Sequence, residues 1–521
     1  FMKLPKLLFF YSCILSLIVT SCSAQRTTGL GPQSKNIPKT ETAIKKESNL
    51  VFNDPERSFR GVWIATVANI DWPKNSSDTY EKMQKDYIDL LVFYKKIKFN
   101  AVIVQIRASG DAFYPTSMAP WSKYLTGKQG ENTKFKTDPL EWLIETTHQY
   151  GMDFHAWINP YRATMTMDTS LLNETHDFNK HPNWMVPYGS KYYYNPGLPE
   201  VQSHLIAVAK DIVERYNIDG IHLDDYFYPY KTEGAIFEDH EAFTKYGNGQ
   251  QINDWRRENI NRLIEGIHTA VKSKKPWVSF GVSPFGVWKN NHTDPRGSNT
   301  RAGQTTYDDL YADPLVWMEK GWIDYLVPQL YWSMNFAPAA HKTLVDWWSK
   351  EKKKSNIYIG YGAYKIFNNA DPAWKNPNEI IDQLTYGSKQ SEITGQVIFS
   401  AKSLMQDGLE EVVHTLKNGP FSEWVLPPLS PLREANEAYT LNATTNKISE
   451  EYFTVKVANP NITKLVLYAT NEANTAAEAV AILPIYNGLA HVKNTKVTFI
   501  KGLNRHNELS KAFSMNKEDF Q

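Results

Sequence analysis

The sequence contains little cysteine, no excess of charge and no glycine-rich phosphate loop. Its 521 residues include two cysteines, Cys13 and Cys22, which cannot build a disulfide framework. The 57 Lys and Arg residues nearly balance the 56 Asp and Glu residues. This balance argues against a protein that coats nucleic acid through its phosphates. The missing phosphate loop disfavours a doubly wound nucleotide-binding fold.

Aromatic residues, by contrast, are abundant. The chain has 16 Trp, 29 Tyr and 24 Phe residues, within an apolar fraction of 42%. This composition excludes disorder as the main state and supplies an ample core. Trp and Tyr also present flat amphipathic faces that can stack on sugars. We therefore expect recognition of a sugar by stacking and hydrogen bonds rather than by a charged field.

The first 22 residues have the pattern of a bacterial export signal. Lys3 and Lys6 precede an apolar run, Leu7 to Val19, that is short for a membrane span. The small residues before Cys22 resemble a lipobox, which implies cleavage before that cysteine and lipidation of its thiol. An ordinary signal peptidase site near Ala24 is the alternative.

We predict a signal peptide over residues 1–21 and a flexible tether over 22–50, where Ser, Thr, Gly, Pro and Lys occur without periodicity. The mature protein would then be anchored by lipid to the bacterial cell envelope, in the outer membrane or periplasm. Its predicted partners are the membrane, through that anchor, and a polysaccharide substrate.

Residues 51–424 repeat a pattern of a β-rich run followed by an amphipathic helix. Because the connections are long enough for crossover helices, the strands are expected to be parallel. Eight such units predict an α/β fold, a closed (β/α)₈ (TIM) barrel. The predicted strands begin near Phe59, Ala101, Met152, Ile218, Trp277, Ile323, Ile357 and Gly395. After a proline-rich linker, residues 425–521 cluster β-formers without a long helix, which predicts a small sandwich of fibronectin or immunoglobulin type.

The residues that end these strands form the candidate site, because barrel active sites lie at the carboxyl ends of the strands. Amide, charged and aromatic side chains are grouped there, as polyol recognition requires. The ring also contains Gln105, Ser283 and Tyr364. The predicted substrate-binding residues are Asn69, Trp72, Arg107, Trp157, Asn159, Arg162, His222, Tyr226, Gln329, Tyr331, Trp332 and Lys365.

Two adjacent carboxylates, Asp224 and Asp225, end the fourth predicted strand. Close carboxylates raise one another's pKa, so one can stay protonated as a general acid while the other is charged. Glycosidic cleavage requires such a pair. Alternatively, Asp225 caps a helix or pairs with Arg162 or Arg107. We predict Asp224 and Asp225 as catalytic residues.

Other candidates have two interpretations each. Asp71, the third predicted catalytic residue, is either a second reacting carboxylate or a cap for the helix after Pro73. Gln329 and Tyr331 contact an acetamido group or the sugar at the reacting position, or simply pack in the barrel.

Trp332 is predicted to form the floor of a sugar subsite. Arg107 and Arg162 bind acidic sugar groups or hold Asp224. His155 and His222 lack zinc-like local spacing, so no metal and no cofactor are predicted.

The fourth strand resembles the pattern D-G-x-D-x-D-x-E of chitinase-type glycosidases, in which Asp219, Gly220 and Asp224 match. His222 and Tyr226 replace an Asp and the catalytic Glu of that pattern. The adjacent Asp pair is instead similar to the O-GlcNAc hydrolase family. That similarity implies that Asp224 orients a nucleophilic substrate acetamido group and that Asp225 is the acid.

A wider resemblance rests on Arg60-Gly-Val-Trp-Ile-Ala-Thr-Val-Ala-Asn-Ile-Asp-Trp-Pro73 and His222-Leu-Asp-Asp-Tyr-Phe-Tyr-Pro229, with Gly281-Val-Ser-Pro-Phe-Gly286 and Pro328-Gln-Leu-Tyr-Trp332. These motifs resemble the glycosyl-hydrolase-like ten family of bacterial envelope proteins. The resemblance implies a barrel glycosidase, and members of the family are often lipoproteins. At least one relative is linked to cleavage of peptide-free peptidoglycan glycan.

The predicted function is therefore hydrolysis of a polysaccharide containing N-acetylhexosamine, such as peptidoglycan glycan. Two alternatives stay open. One is hydrolysis of another dietary or host glycan, with Asp224 as a covalent nucleophile and Asp225 or Asp71 as the acid. The other is a glycan-binding lipoprotein without turnover.

Overall fold

Eight parallel strands close into a barrel in the computed structural model, which describes residues 50–434, 436–449, 451–493 and 496–515. Each barrel strand pairs with its sequence neighbour, and strand eight returns to strand one, where Gly395 lies beside Phe59. Numbered one to eight, the barrel strands are Phe59–Ile64, Ala101–Arg107, Asp153–Ile158, Gly220–Leu223, Ser279–Val282, Tyr325–Leu326, Asn356–Tyr361 and Ile393–Ile398. The predicted barrel is confirmed.

Aromatic rings fill the barrel interior. Phe59 stacks on Tyr358 with ring centroids 4.5 Å apart, and Tyr325 stacks on Tyr358 at 5.0 Å. Glycine makes room for such rings, since a Cβ on Gly281 would lie 2.0 Å from the Tyr325 ring. Part of the large aromatic content is therefore interior packing rather than ligand-facing surface.

Helices cover the outside of the barrel, and they form where the sequence has apolar residues at helical spacing. The α-helices are Tyr80–Lys96, Lys123–Thr126, Pro139–Gln149, Asp177–Lys180, Pro199–Arg215, His240–Tyr246, Ile252–Lys274, Thr306–Asp309, Pro314–Lys320, His341–Lys350, Glu379–Ser388 and Glu410–Asn418. Short 3-10 helices are Val67–Asn69, Pro182–Trp184, Ala363–Lys365, Pro372–Lys375 and Ser403–Met405. A hairpin, Met185–Tyr188 with Lys191–Tyr194, lies in the loop after strand three.

The C-terminal region is all β, as predicted, with two sheets packed over an apolar core that includes Val455, Leu465 and Val492. One sheet has the order Val51–Asn53, Ala476–Pro484, Ile462–Thr470, Phe499–Asn504 and Phe513–Ser514. The other has the order Ala443–Lys447, Tyr452–Val457 and Leu489–Lys493. Val51–Asn53, within the range predicted for the barrel, is thus an edge strand of this sandwich, because it pairs in parallel with Ala476–Glu478.

The sandwich joins the barrel at the amino ends of the strands. Lys464, from the sandwich, forms a buried ion pair with Asp153, which begins strand three. Ser430 donates to Asp324, just before strand six, at 2.7 Å. Barrel and sandwich belong to one compact unit. This junction leaves the carboxyl ends of the barrel strands, where the candidate site was predicted, clear of the sandwich.

The signal peptide, the tether as far as residue 49 and the lipidation site Cys22 lie outside the described residues. The predicted boundaries at residues 51 and 424 stay predictions. Within the described ranges, none of the helices combines the length and the apolar character needed to cross a bilayer.

Candidate active site

A cavity of about 330 Å³ opens at the carboxyl ends of the barrel strands. Residues from each of the eight strands, or from the loop that follows it, reach this cavity. Its lining consists of Trp63, Ala65, Val67, Ile70, Gln105, Trp157, Arg162, Asp224, Asp225, Tyr226, Tyr230, Ser283, Gln329, Tyr331, Tyr364 and Phe399. Two carboxyl groups, one guanidinium, two amides and a wall of aromatic rings therefore meet in one space.

Asp224 follows strand four directly and is almost fully buried, at 4% exposure. Its Oδ2 accepts a hydrogen bond from Asn159 Nδ2 at 2.9 Å, and its Oδ1 accepts one from the Tyr226 backbone N–H at 3.4 Å. Burial raises the pKa of Asp224 to about 6, although Arg162 and these donors oppose the rise. Asp224 is therefore held in one orientation and is ionised at neutral pH.

Asp225 is also buried, and its carboxyl faces the same cavity. Burial and the charge of Asp224 raise the pKa of Asp225 well above its ordinary value, against the opposing effect of the Gln329 amide. The Tyr230 hydroxyl donates to Asp225 Oδ2. The two neighbours thus differ in protonation: Asp225 keeps its proton at a pH where Asp224 has lost one. This is the difference that an acid and a charged partner need.

Arg162 brings a positive charge to the cavity from the loop after strand three. Its Nε donates to the Ala108 carbonyl at 3.0 Å, and its guanidinium lies 4.6 Å from the centre of the Tyr226 ring. The positive charge of Arg162 opposes the rise that burial causes in the pKa of both Asp224 and Asp225. Arg162 therefore stabilises negative charge in the site without forming a close ion pair with either acid.

His222 lies beneath the cavity rather than in its lining. Its Nε2 is 2.9 Å from Ser283 Oγ and 3.3 Å from Trp63 Nε1, and its Nδ1 is 3.1 Å from the Tyr325 hydroxyl. Burial holds the pKa of His222 well below its ordinary value, so the ring is neutral. His222, predicted to bind substrate, instead supports Ser283 and Trp63, which do line the cavity.

Aromatic and amide groups make the cavity wall. Tyr331 packs near Tyr364 and Phe399, with both ring centroids 5.9 Å away. Gln329 donates from Nε2 to the Ser283 carbonyl at 2.9 Å. Gln105 accepts the Val67 backbone N–H at 2.9 Å. These groups are fixed in place before any ligand arrives, as a preorganised sugar site requires.

The predicted residues after strand one do not reach the cavity. Asp71 accepts from Ala65 N at 2.8 Å, Ser400 Oγ at 2.8 Å and Lys402 N at 3.0 Å, so it ties the end of strand one to that of strand eight. It does not cap the following helix either, since Thr79 does that. The structure does not bring Asp71 to the Asp224–Asp225 pair.

Asn69 and Trp72 are structural as well. Asn69 donates to the carbonyls of Pro73 and Tyr124, at 2.9 and 2.8 Å. The Trp72 indole is 1% exposed and donates to the Met83 carbonyl at 2.8 Å. Neither belongs to the cavity lining, so the prediction that they bind substrate is not supported by their positions.

Four more predicted residues surround the lining without joining it. Asn159 holds Asp224, as described above. Arg107 is buried against Tyr194, with its Nη2 3.3 Å from the hydroxyl. Trp332 packs edge-on against Phe285 at 5.4 Å, and Lys365 donates to the Tyr331 carbonyl. Trp157, Arg162, Tyr226, Gln329 and Tyr331 do line the cavity.

Several lining residues were not predicted. Trp63 lies inside strand one, and the period-two spacing Phe59, Gly61, Trp63 was the signal that it points inward. Tyr230 lies five residues beyond Asp225, in a loop where no periodicity gives a direction. Val67, Ile70 and Phe399 are apolar and resemble ordinary core residues in the sequence.

Among the residues that the structure describes, no group of three or more His, Cys, Asp and Glu side chains is arranged to hold a metal ion. The polar groups that line the cavity are carboxyl, guanidinium, amide, hydroxyl, phenol and indole groups. A closed barrel with a buried carboxyl pair at the end of strand four has the paired acids that the glycosidase class uses.

Comparison with known proteins agrees with this class. Residues 58–376 match the family model described as glycosyl hydrolase-like 10, and the chain belongs to that family. The glycosyl hydrolase YngK of Bacillus subtilis (strain 168) is 45% identical over 381 residues, covering 72% of this chain and 74% of that protein. The glycosyl hydrolase DigH of Escherichia coli (strain K12) is 34% identical over 429 residues, covering 78% of this chain and 95% of that protein.

Among solved structures, the PgaB (BpsB) glycoside hydrolase domain of Bordetella bronchiseptica is similar with a TM-score of 0.41 and 10% identity. The similarity covers 70% of this chain and 99% of that one. The predicted family is confirmed by the family model and by the two curated relatives.

Proposed function

We propose that this protein hydrolyses glycosidic bonds in a polysaccharide that contains N-acetylhexosamine, with the glycan strands of peptidoglycan as its substrate. The observation that carries the proposal is the Asp224–Asp225 pair, buried in one cavity with unequal pKa values. Membership of a glycosyl hydrolase-like family supports the reaction type. The choice of substrate rests on the similarity of the adjacent Asp pair to that of the O-GlcNAc hydrolase family and on the family resemblance of the sequence motifs.

Asp225 is the proposed general acid. Its pKa is raised, so it carries a proton at neutral pH. It gives that proton to the glycosidic oxygen while the bond from C1 to this oxygen breaks. The Asp225 carboxylate that results then takes a proton from the attacking water in the second step, which restores the starting state.

Asp224 is the proposed partner of the substrate acetamido group. Fixed by Asn159 and by the Tyr226 backbone, its charged carboxylate accepts the acetamido N–H. The acetamido carbonyl oxygen attacks C1 and forms a cyclic oxazolinium as the leaving sugar departs. Water then attacks C1, reopens the ring and leaves the sugar with its acetamido group intact. Negative charge at Asp224 stabilises the positive charge of the ring.

The wall supports an amino sugar at the reacting position. Tyr331 and Gln329 follow strand six, and Trp157 lies on strand three. Aromatic rings cover the apolar face of a sugar, while the amide can bond its hydroxyl or acetamido oxygen. The volume of about 330 Å³ is at the small end of the range for ligand pockets, which suits one or two sugar rings.

The test is hydrolysis of defined glycans by Asp224→Asn and Asp225→Asn variants. Both are expected to lose about a hundredfold or more in kcat on peptide-free peptidoglycan glycan, with binding retained. Glycans without a 2-acetamido group should be inert. Efficient cleavage of plain glucan contradicts the acetamido mechanism and favours Asp224 as a covalent nucleophile, and binding without any turnover supports a binding protein.

We also propose export and lipid anchoring through Cys22, on the basis of the first 22 residues alone. Expression in a bacterium with labelled palmitate is the measurement. The chain is expected to carry the label and sediment with membranes, and Cys22→Ala to lose both. A label-free chain processed near Ala24 contradicts the anchor and leaves the catalytic proposal untouched.

A further inference from the structure

Arg162 carries a buried positive charge that faces the catalytic cavity without a close partner. The residue is 6% exposed and belongs to the cavity lining. Its Nε is occupied by the Ala108 carbonyl. Within the described ranges, neither terminal nitrogen makes a hydrogen bond or an ion pair, and the guanidinium lies 4.6 Å from the centre of the Tyr226 ring. The two terminal nitrogens are not among the buried atoms without a partner, so they are reached from the cavity, where an anion can meet them.

The two cavity acids do not supply that anion. Asp224 turns its oxygens to Asn159 and to the Tyr226 backbone, and Asp225 accepts from Tyr230. Burial and the charge of Asp224 raise the pKa of Asp225, so this second acid is neutral when the site is competent. Asp224 then carries the negative charge of the acid pair, and in the described ranges Arg162 forms no ion pair with it or with Asp111, another buried acid on this side of the barrel.

A second cation lies close to Arg162. Lys191 begins the hairpin strand Lys191–Tyr194, and Tyr193 of this strand forms a backbone bridge with Arg162. Lys191 and Tyr193 share a face of the strand, since side chains alternate along it. Partial burial and the charge of Arg162 lower the pKa of Lys191. No ion pair of Lys191 is found in the part of the chain that the structure describes. Lys191 lies outside the cavity lining and adds a second positive charge near Arg162.

We propose that Arg162 is the binding site for a carboxylate carried by a sugar that flanks the bond to be cleaved. The planar fork of a guanidinium matches a carboxylate in bidentate geometry. The ligand class is an amino sugar with a carboxyl-bearing ether substituent, as in the lactyl group of muramic acid units. This inference rests on the proposed function and narrows it, because a neutral homopolymer of N-acetylglucosamine has no group for this site.

The first experiment uses the unaltered enzyme and a matched pair of substrates. Peptide-free peptidoglycan glycan is compared with the same glycan after its carboxyl groups have been reduced to alcohols. The expected result is a fall in kcat/KM of about tenfold or more on reduction. The control is N-acetylglucosamine oligosaccharides, which have no carboxyl group to reduce. After the same reduction treatment they should be cleaved at the same rate as untreated oligosaccharides.

The outcomes separate this inference from the proposed function. Equal rates on the intact and the reduced glycan overturn the carboxylate site but leave the glycosidase proposal standing. Absence of hydrolysis of every acetamido glycan contradicts the proposed function itself. Faster cleavage of the reduced glycan also overturns the inference, since it means that the cavity disfavours the acid.

The second experiment measures substrate preference in variants. Arg162→Gln should bring the ratio of kcat/KM on acidic glycan to kcat/KM on neutral glycan close to one. Arg162→Lys keeps the charge but not the planar guanidinium, so it should retain part of the preference for the acidic glycan. Lys191→Gln should raise KM for the acidic glycan a few-fold with little change in kcat, because it removes attraction but no close contact. Lys85→Gln, on an outer helix and paired only with Asp89, is the matched control.

Arg162 also lies near Asp224, so its loss is expected to lower kcat on every substrate to some extent. The preference ratio is therefore the deciding quantity. An Arg162→Gln variant that loses acidic and neutral activity equally shows that Arg162 acts only on Asp224, which overturns the inference. If that variant does not fold, as judged by circular dichroism, Lys191→Gln and the reduced glycan give the decision.

Discussion

The Tyr230 hydroxyl donates a hydrogen bond to Oδ2 of Asp225. A carboxylic acid has one oxygen that carries the proton and one that accepts, so this bond favours the proton on Oδ1. Gln329 approaches the same carboxyl from strand six, and Tyr230 packs edge-on against Phe285 at 6.1 Å. Tyr230 is therefore placed to decide which oxygen of Asp225 faces the leaving group.

Tyr230→Phe should slow cleavage of the natural glycan by about tenfold, since it removes part of a general-acid effect worth about a hundredfold or more. Aryl glycosides with a good leaving group need little protonation, and their kcat should change much less. The measurement is kcat on both substrate types. Tyr386→Phe, whose hydroxyl bonds Asp346 away from the cavity, is the control. An equal loss on both substrates contradicts an orienting role.

The pH profile of kcat/KM should be bell-shaped. Activity requires Asp224 charged and Asp225 protonated. It therefore rises as the pH rises through the pKa of Asp224, about 6, and falls again as the higher pKa of Asp225 is passed. The two pKa values belong to the coupled pair. The residual activity of Asp225→Asn should keep the acid limb and lose the alkaline limb. An alkaline limb that persists in this variant assigns that limb to another group.

Asp71→Asn tests a predicted catalytic residue that the structure places outside the cavity. The amide cannot accept all three of the bonds from Ala65, Ser400 and Lys402, so one donor loses its partner at the junction of strands one and eight. The expected cost is about 1–3 kcal/mol of unfolding free energy. Urea denaturation measures it, and kcat of the folded fraction should fall far less than in Asp225→Asn. A fully stable variant without activity restores Asp71 to catalysis.

Much of the fold could be predicted because parallel barrel strands are apolar on both faces. The run Ala101 to Ile106 has no polar residue except Gln105, and it forms strand two. The rule that sites lie at strand ends likewise found Asp224 and Asp225, which follow strand four at once. Nothing in either step required knowledge of how side chains meet across the barrel.

The same rule also selected residues at points where the chain had already left its strand, and the structure places these outside the cavity lining. Strand one ends at Ile64, so Asn69 and Trp72 lie in a loop whose course depends on bonds to distant segments such as Tyr124. Trp63, in contrast, lies within strand one and lines the cavity although it is almost fully buried. The residues around a large interior ring decide whether it packs in the core or lines the cavity. The alternation of side chains along a strand does not predict which of the two occurs.

The charge pattern of the sequence also had a local exception. Near-neutral overall charge favoured recognition by stacking and hydrogen bonds, yet the cavity holds one buried guanidinium with Lys191 nearby. Composition averages over the chain, whereas a binding site is decided by a few groups that folding gathers. Only the folded arrangement showed that Arg162 lacks a close acidic partner.

The buried pair Lys464–Asp153 should be essential to the junction of barrel and sandwich. Lys464 is 6% exposed and Asp153 is 7% exposed, so either charge left alone is poorly solvated. Lys464→Met should cost about 3–5 kcal/mol of unfolding free energy, because Asp153 stays behind without its partner.

The double variant Lys464→Met, Asp153→Asn should recover much of that loss, since the uncompensated charge has gone. Chemical denaturation of the four proteins in this cycle gives the coupling, and a double variant no more stable than Lys464→Met contradicts the argument. Activity of the folded single variant should stay near that of the parent, because the pair lies at the amino ends of the strands, away from the cavity at their carboxyl ends.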